Sequence, residues 1–211
     1  MIIKVCGMRE AENIRQVEQL EADWMGFIFY PRSPRYVDAR PAYLPLRQKR
    51  VGVFVNADEE FILNHVKVFH LDLVQLHGNE TPAFTVRIRN HSNCPVIKAF
   101  GISNDTDFNL IHSYEDAADY FLFDTSCTTA GGSGRTFDHH LLAKYEGATP
   151  FLLSGGLGPD DADEINDYAH PAFAGIDLNS RFELRPALKS VEQLQAFFSK
   201  LKRNNIQKPR T

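Results

Sequence analysis

Polar side chains that could do chemistry stand at the ends of short apolar runs in this 211-residue chain. In chain order these positions are Cys6, Arg32, Arg35, Asn56, Gln75, His77, Lys98, Asp124, Ser154 and Asp177. Their thiol, carboxyl, imidazole and cationic groups are types that transfer protons or bind anions. A metal centre has no sequence support, because neither Cys-x-x-Cys nor His-Glu-x-x-His occurs, and the adjacent His139 and His140 would point apart on a helix.

The runs that bear these residues have the composition of buried parallel strands. They are Ile2–Cys6, Trp24–Phe29, Val51–Val55, Leu73–Leu76, Val96–Phe100, Tyr120–Asp124, Phe151–Ser154 and Ala174–Leu178. Most are apolar on both faces and rich in Val, Ile, Leu and Phe, which is typical of a parallel sheet covered by helices. Most of the stretches between them can hold a helix, which leaves either a closed barrel or a doubly wound open sheet.

The number of runs separates these two architectures. Eight strands with repeated βα connections favour an α/β fold of the (β/α)8 TIM-barrel type. The first strand ends in Cys6-Gly7-Met8-Arg9, without the Gly-x-Gly-x-x-Gly turn that more often follows the first strand of an open sheet. We predict one barrel domain over residues 1–203 and a frayed polar tail over residues 204–211.

Amphipathic spacing predicts helices between several of these strands. Glu10–Leu20, Glu59–Phe69 and Ser190–Leu201 each bring apolar side chains to one face. Pro159, which precedes two aspartates, predicts a further helix start.

The connection between the second and third strands differs from the others. Its second part, Asp38–Arg50, contains Pro41 and Pro45, and a proline inside a helix costs about 3 kcal/mol. We therefore predict a truncated or irregular second helix. The side chains expected to cover the strands in its place are Tyr43, Leu44 and Leu46.

Composition restricts the partners and the compartment. The net charge of -4 is too mild to indicate a nucleic-acid partner. An odd count of three cysteines without paired spacing argues for a reducing compartment. The chain has no signal-peptide pattern at its start and no apolar stretch of transmembrane length. We expect a cytoplasmic protein without a membrane partner, either a monomer or a homodimer.

Short motifs recur in order along the chain, close to one per strand end. They are Lys4-Val5-Cys6-Gly7-Met8-Arg9, Ser33-Pro34-Arg35-Tyr36, Val51-Gly52-Val53-Phe54-Val55-Asn56, Val74-Gln75-Leu76-His77-Gly78, Leu122-Phe123-Asp124, Gly131-Gly132-Ser133-Gly134, Ser154-Gly155-Gly156-Leu157 and Gly175-Ile176-Asp177. From residue 4 to about residue 183, this ordered set resembles the phosphoribosylanthranilate isomerases of tryptophan biosynthesis.

The resemblance implies the Amadori rearrangement of N-(5'-phosphoribosyl)anthranilate to 1-(2-carboxyphenylamino)-1-deoxy-D-ribulose 5-phosphate, without a metal or cofactor. It implies that Cys6 is the general base and Asp124 the general acid. The base role needs cationic neighbours that favour the thiolate. The acid role needs a carboxyl group that holds its proton near neutral pH.

For the substrate, the resemblance implies that Arg35 binds the anthranilate carboxylate through a two-pronged contact. Further candidate substrate-binding residues are Gln75, His77 and Asp177. The loops after strands seven and eight are expected to bind the phosphate. The candidates there are Gly155, Gly156, Asn179 and Ser180.

Two features of the sequence complicate the resemblance. The segment Asn179-Ser180-Arg181 stands where the family commonly has Ser-Ser-Gly, and His139 stands where it often has Trp. The glycine-rich loop Thr125–Arg135 is expected to be mobile and to close over the substrate, which would allow Cys127 to approach Cys6.

Three other functions compete with this interpretation. A different sugar-phosphate barrel isomerase is disfavoured, because Cys6 stands where the related enzyme of histidine biosynthesis has Asp. A non-catalytic phosphate-binding barrel is disfavoured by the joint presence of Cys6, Asp124 and Arg35. A redox role for Cys6 has no Cys-x-x-Cys partner to support it.

Overall fold

The structure is a computed structural model that describes residues 1–103, 106, 108–124 and 142–201. Three expectations fall outside these residues. They concern the loop Thr125–Arg135 with Cys127, the histidines His139 and His140, and the polar tail 204–211.

Eight parallel strands, joined in sequence order, close into a barrel. They are β1 Ile2–Cys6, β2 Trp24–Ile28, β3 Lys49–Phe54, β4 Leu73–Leu76, β5 Val96–Gly101, β6 Tyr120–Asp124, β7 Phe151–Ser154 and β8 Phe173–Leu178. Strand β1 closes the barrel against β8, with Lys4 in register with Asp177. The barrel prediction is confirmed, and each predicted strand lies within two residues of its observed bounds.

The apolar residues divide into two cores, as alternation along buried strands requires. A smaller cluster lies inside the barrel and includes Trp24, Val51, Leu73, Leu122 and Leu152. A larger cluster fills the layer between the strands and the surrounding helices. Because both faces of each strand are covered, the polar residues at the strand ends are the ones left to face a ligand.

The helices of the described residues are α1 Ala11–Glu18, α2 Glu59–Phe69, α3 Pro82–Ser92, α4 Phe108–His112, α5 Ala162–Asp167 and α6 Val191–Lys200. Side-chain caps begin α2 and α6, since Asp58 accepts from Phe61 N and Ser190 from Gln193 N. The helix start predicted at Pro159 was misplaced, because Pro159 lies in a turn and α5 begins at Ala162. Among the helices in the described ranges, none has the length and apolar character needed to cross a membrane.

Strand β8 is followed by a 3-10 turn, Ser180–Phe182, and by a short antiparallel hairpin. The hairpin consists of β9 Glu183–Arg185 and β10 Leu188–Lys189, with Glu183 opposite Lys189. Asn13 of α1 holds it in place, because its amide oxygen accepts from Lys189 N at 2.7 Å and its amide nitrogen donates to Lys189 O at 3.0 Å.

The connection between β2 and β3 contains no α-helix, which confirms the prediction made from its two prolines. The Glu18 side chain at the end of α1 binds this segment. It accepts hydrogen bonds from Leu46 N at 2.5 Å, from Arg47 N at 2.9 Å and from the Tyr43 hydroxyl. One carboxylate therefore satisfies backbone donors that a helix would otherwise have paired.

The expectation for the apolar residues of this segment was partly wrong. Leu44 is buried and Tyr43 packs against the core, but Leu46 is 79% exposed. The hydrogen bond from Leu46 N to Glu18 holds this part of the backbone, and the Leu46 side chain lies in solvent.

Candidate active site

A cavity of about 150 Å³ opens at the carboxyl ends of the barrel strands. Its lining residues are Cys6, Ile28, Val53, Gln75, His77, Asp124, Ser154, Gly155, Gly156, Leu157, Asp177, Asn179 and Ser180. All the residues expected to catalyse the reaction or to bind substrate and phosphate are in this set except Arg35, whereas the other strand-end candidates Arg32, Asn56 and Lys98 are not. The barrel topology brings them together, since the ends of parallel strands meet on one face.

Cys6 lies at the floor of the cavity, in a buried cluster with Lys4 and Asp177. These two residues form an ion pair, with Lys4 Nζ 2.9 Å from Asp177 Oδ1. Lys4 precedes Cys6 by two residues on β1, so both side chains point into the barrel, and the Lys4 ammonium interacts electrostatically with the thiol.

The charges in this cluster act on the thiol in opposite directions. Burial raises the pKa of Cys6 above its ordinary value, and Asp177 adds to this, while Lys4 and Lys189 lower it. The cationic neighbours expected from the base role are present, but burial outweighs them. For Lys4, burial works to lower the pKa, yet attraction to Asp177 and Cys6 raises it overall. Lys4 is therefore a charged ammonium ion under the thiol.

A second cluster lies across the cavity around His77. Gln75 Nε2 lies 2.9 Å from His77 Nδ1, and His77 Nε2 lies 3.9 Å from Asp124 Oδ2. When the amide donates to Nδ1, the ring hydrogen sits on Nε2, on the side of Asp124. Burial lowers the pKa of His77, although Asp124 acts to raise it, so the ring is neutral near pH 7.

Gln75 adds a buried acceptor to this side of the cavity. It is 1% exposed, and its side-chain oxygen has no hydrogen-bond partner among the described residues. A buried amide oxygen left unpaired costs about 1–3 kcal/mol. A ligand donor in the cavity would remove that cost.

The loops after β7 and β8 form the glycine side of the cavity. Gly155 and Gly156 have φ values of 100° and 78°, which favour glycine, and neither has a side chain to hold a ligand away from the backbone. Asn179 and Ser180 line the cavity next to them. Arg181, which stands where the family commonly has glycine, extends toward the loop after β7. Its Nε would lie 3.3 Å from a Cβ placed at Gly158 of that loop.

Arg35 lies beside the cavity rather than in its lining. Its guanidinium group is bound by Glu183, with Arg35 Nη2 2.6 Å from Glu183 Oε2. A Cβ at Gly7 would meet Arg35 Cδ at 2.7 Å and Asn179 Oδ1 at 2.8 Å. The side chain is therefore adjacent to the residue that follows Cys6 and to one residue of the cavity wall.

Sequence reasoning missed three charged residues of this region, namely Lys4, Glu183 and Lys189. Lys4 gave a usable signal, because a lysine at an inward-facing position of an otherwise apolar strand must have a partner. Glu183 and Lys189 gave none, since the hairpin that pairs them is only five strand residues in total. Among the described residues, no group of three His, Cys, Asp or Glu side chains could hold a metal ion.

A closed barrel with acid–base side chains and a glycine loop at its strand ends defines the class of (β/α)8-barrel enzymes. The family described as N-(5'phosphoribosyl)anthranilate (PRA) isomerase matches residues 3–200 of the chain. The chain belongs to this family. It is an isomerase that catalyses the Amadori rearrangement of N-(5'-phosphoribosyl)anthranilate in tryptophan biosynthesis.

Individual relatives agree with the family. The N-(5'-phosphoribosyl)anthranilate isomerase of Phocaeicola vulgatus is 52% identical, over 96% of this chain and 98% of the relative. The phosphoribosyl anthranilate isomerase of Thermotoga maritima has a similar structure, with a TM-score of 0.80 and 33% identity over 95% of this chain and 98% of the other. A further solved isomerase holds reduced 1-(o-carboxyphenylamino)-1-deoxyribulose 5-phosphate, with a TM-score of 0.78 and 31% identity over 95% of this chain and 98% of the other.

Proposed function

We propose that Asp124 is the general acid and Cys6 the general base of this isomerisation. Asp124 donates a proton to the furanose ring oxygen as the C1'–O bond breaks, which opens the ring to an imine that is protonated at nitrogen. Cys6, as thiolate, then takes the proton from C2'. The resulting enolamine gains a proton at C1' while its C2' hydroxyl loses one, which gives the ketone. Acid and base each contribute about 10²–10⁴-fold to such steps.

One observation supports these roles above the others: Cys6 and Asp124 line the same small cavity from different strands, β1 and β6. A sugar between them would have a base on one side and an acid on the other. Lys4 and Lys189 reduce, without cancelling, the cost that burial imposes on formation of the thiolate.

The remaining candidates bind the two anionic ends and the hydroxyls of the substrate. Backbone N–H groups around Gly155, Gly156 and Ser180 bind the phosphate, and Arg35 binds the anthranilate carboxylate. The unpaired Gln75 oxygen accepts from a sugar hydroxyl or from the substrate nitrogen. The partner of this site is a phosphorylated small molecule, which the protein meets in the cytoplasm.

The test is to replace the two groups one at a time and to follow loss of substrate fluorescence. We expect Cys6→Ser and Asp124→Asn each to lower kcat by about 100-fold or more, with much smaller changes in KM. Cys94→Ser is the matched control, because Cys94 is also buried but lies outside the cavity. Near-normal kcat in Cys6→Ser would remove Cys6 from the role of base.

A further inference from the structure

Arg35 is held by a partner that leaves one edge of its guanidinium group for a ligand. Glu183 accepts from Arg35 Nε at 2.9 and 3.0 Å and from Arg35 Nη2 at 2.6 Å. These contacts occupy the edge formed by Nε and Nη2. Arg35 Nη1 has no hydrogen bond to any of the described residues. The edge formed by Nη1 and Nη2 can therefore bind a second carboxylate in a two-pronged contact.

Glu183 also binds a second cation, which decides the charge of the group. Lys189 Nζ lies 2.6 Å from Glu183 Oε1 and 2.9 Å from Asn179 Oδ1. Two cations share one carboxylate, so Arg35, Glu183 and Lys189 together have a net charge of about +1. A simple Arg–Glu pair would be neutral and would attract an anion poorly. The added lysine keeps the group attractive to a carboxylate.

The backbone around Glu183 fixes its direction. Glu183 and Lys189 are opposite each other in the β9–β10 hairpin, and Ala187 N donates to Glu183 Oε1 at 3.1 Å. The Glu183 side chain is 4% exposed and the Lys189 side chain is fully buried, while that of Arg35 is 18% exposed. The buried members support the one side chain that reaches the surface.

The loop that bears Arg35 is restrained as well. Ser33 Oγ accepts from Arg35 N at 3.1 Å, and Tyr36 N donates to Ser33 O at 3.0 Å. Arg9, near the start of α1, donates to the carbonyl groups of Pro34 and Tyr36. With the loop and the guanidinium both restrained, little conformational entropy is lost when a ligand binds.

We propose that Glu183 is a positioning residue for recognition of the aromatic carboxylate: it orients Arg35 edge-on toward the substrate, and Lys189 preserves the positive charge of the group. The proposal rests on the proposed role of Arg35. It assigns to the β9–β10 hairpin the selection of substrates that have a carboxylate beside the amine.

The test compares two substrates that differ only in that carboxylate. Kinetics are measured for Glu183→Gln with N-(5'-phosphoribosyl)anthranilate and with the phosphoribosylamine of aniline, which lacks the carboxylate. We expect KM for the carboxylated substrate to rise about 3- to 20-fold, with kcat within about threefold, because binding rather than chemistry is affected. With the aniline compound, KM should not change.

A double-mutant cycle provides the second measurement. Once Arg35→Ala is present, adding Glu183→Gln should change KM no further, because Glu183 acts through Arg35. Glu183→Asp keeps the charge but shortens the side chain, and its KM should likewise rise only for the carboxylated substrate. This variant takes the place of Glu183→Gln in the test if Glu183→Gln does not fold. Glu59→Gln is the control, since Glu59 pairs with Arg87 away from the cavity.

The outcomes separate this proposal from the assignment of acid and base. Equal effects of Glu183→Gln on both substrates, or additive effects with Arg35→Ala, would overturn the positioning role. Failure of the acid and base assignment would instead appear as unchanged kcat in Cys6→Ser, whatever Glu183→Gln does. An unchanged KM in all Glu183 variants would also overturn the proposal.

Discussion

Lys4 and Lys98, each on a barrel strand, both pair with a buried carboxylate, and the two pairs have different surroundings. Lys4 pairs with Asp177 at 2.9 Å, and Lys98 pairs with Glu80 at 3.2 Å. The side chains of all four residues are at most 5% exposed. Yet Asp177 lines the cavity and Glu80 does not.

The Lys98 pair is surrounded by backbone groups. Lys98 Nζ donates to the carbonyl groups of Leu76, Gly78 and Ala99, at 2.7–3.3 Å. Glu80 accepts from Asn56 N at 2.8 Å and from Gly78 N at 2.9 Å. Together these contacts join the loop after β3 to the loop after β4, and the loop after β4 to Lys98 on strand β5. The pair therefore serves the fold.

Lys4 Nζ, by contrast, donates to Asp177 Oδ1 and to no backbone group of the described residues. Asp177 and the nearby Cys6 thiol, which also interacts with Lys4, both line the cavity. The pKa values differ accordingly. Burial dominates at Lys98 and lowers its pKa despite Glu80, whereas at Lys4 Asp177 and Cys6 outweigh burial and raise it. A buried charge stabilises the fold when backbone groups saturate it, and it serves the site when its partners face a ligand.

The largest expected effect is on stability. Lys98→Met leaves Glu80 buried without its cation and should lower the free energy of unfolding by about 3–5 kcal/mol. Lys4→Met should cost less, about 1–2 kcal/mol, because Asp177 faces a cavity and burial already favours its protonated form. Denaturant unfolding of both variants measures the difference. Equal losses would show that the two pairs are equivalent.

The next effect is on catalysis, and here the order of the two lysines reverses. Lys4→Met should lower kcat by about 10- to 100-fold, less than loss of the base itself, while Lys98→Met should stay within about threefold of wild type. The Lys4 cation lowers the pKa of Cys6, so its removal raises that pKa. The rising limb of the pH–kcat profile should then move to higher pH. A profile that shifts in Lys98→Met instead would contradict the comparison.

The smallest expected effect is on the pKa of His77, which both Lys4 and Lys98 lower. Burial lowers the pKa of His77, and the two lysines lower it further, Lys4 more than Lys98. His77 should therefore titrate below its ordinary value of 6.5, neutral above and protonated only in more acid solution. Lys4→Met should raise the pKa of His77, and Lys98→Met should raise it less. Proton NMR of the imidazole ring, assigned with His77→Gln, measures both shifts.

The sequence by itself determined the features that depend on local pattern. Apolar runs such as Ile2–Cys6 and Phe151–Ser154 were found because a strand buried on both faces is apolar throughout. The missing second helix was found because Pro41 and Pro45 forbid it wherever the chain lies in space. The cavity residues were predicted to converge because each stands at the carboxyl end of a strand. The strands of a barrel are parallel, so their carboxyl ends all lie on the same face.

The tertiary structure alone decided which charged groups meet across the chain. The backbone of Leu46, whose side chain is exposed, is bound by Glu18, 28 residues earlier. Arg35 is held by Glu183, 148 residues later, and Lys4 by Asp177, 173 residues later. Hydrophobic burial and proline geometry depend on a residue and its neighbours and can be read locally. Electrostatic partners depend on distance in space, which only closure of the barrel sets.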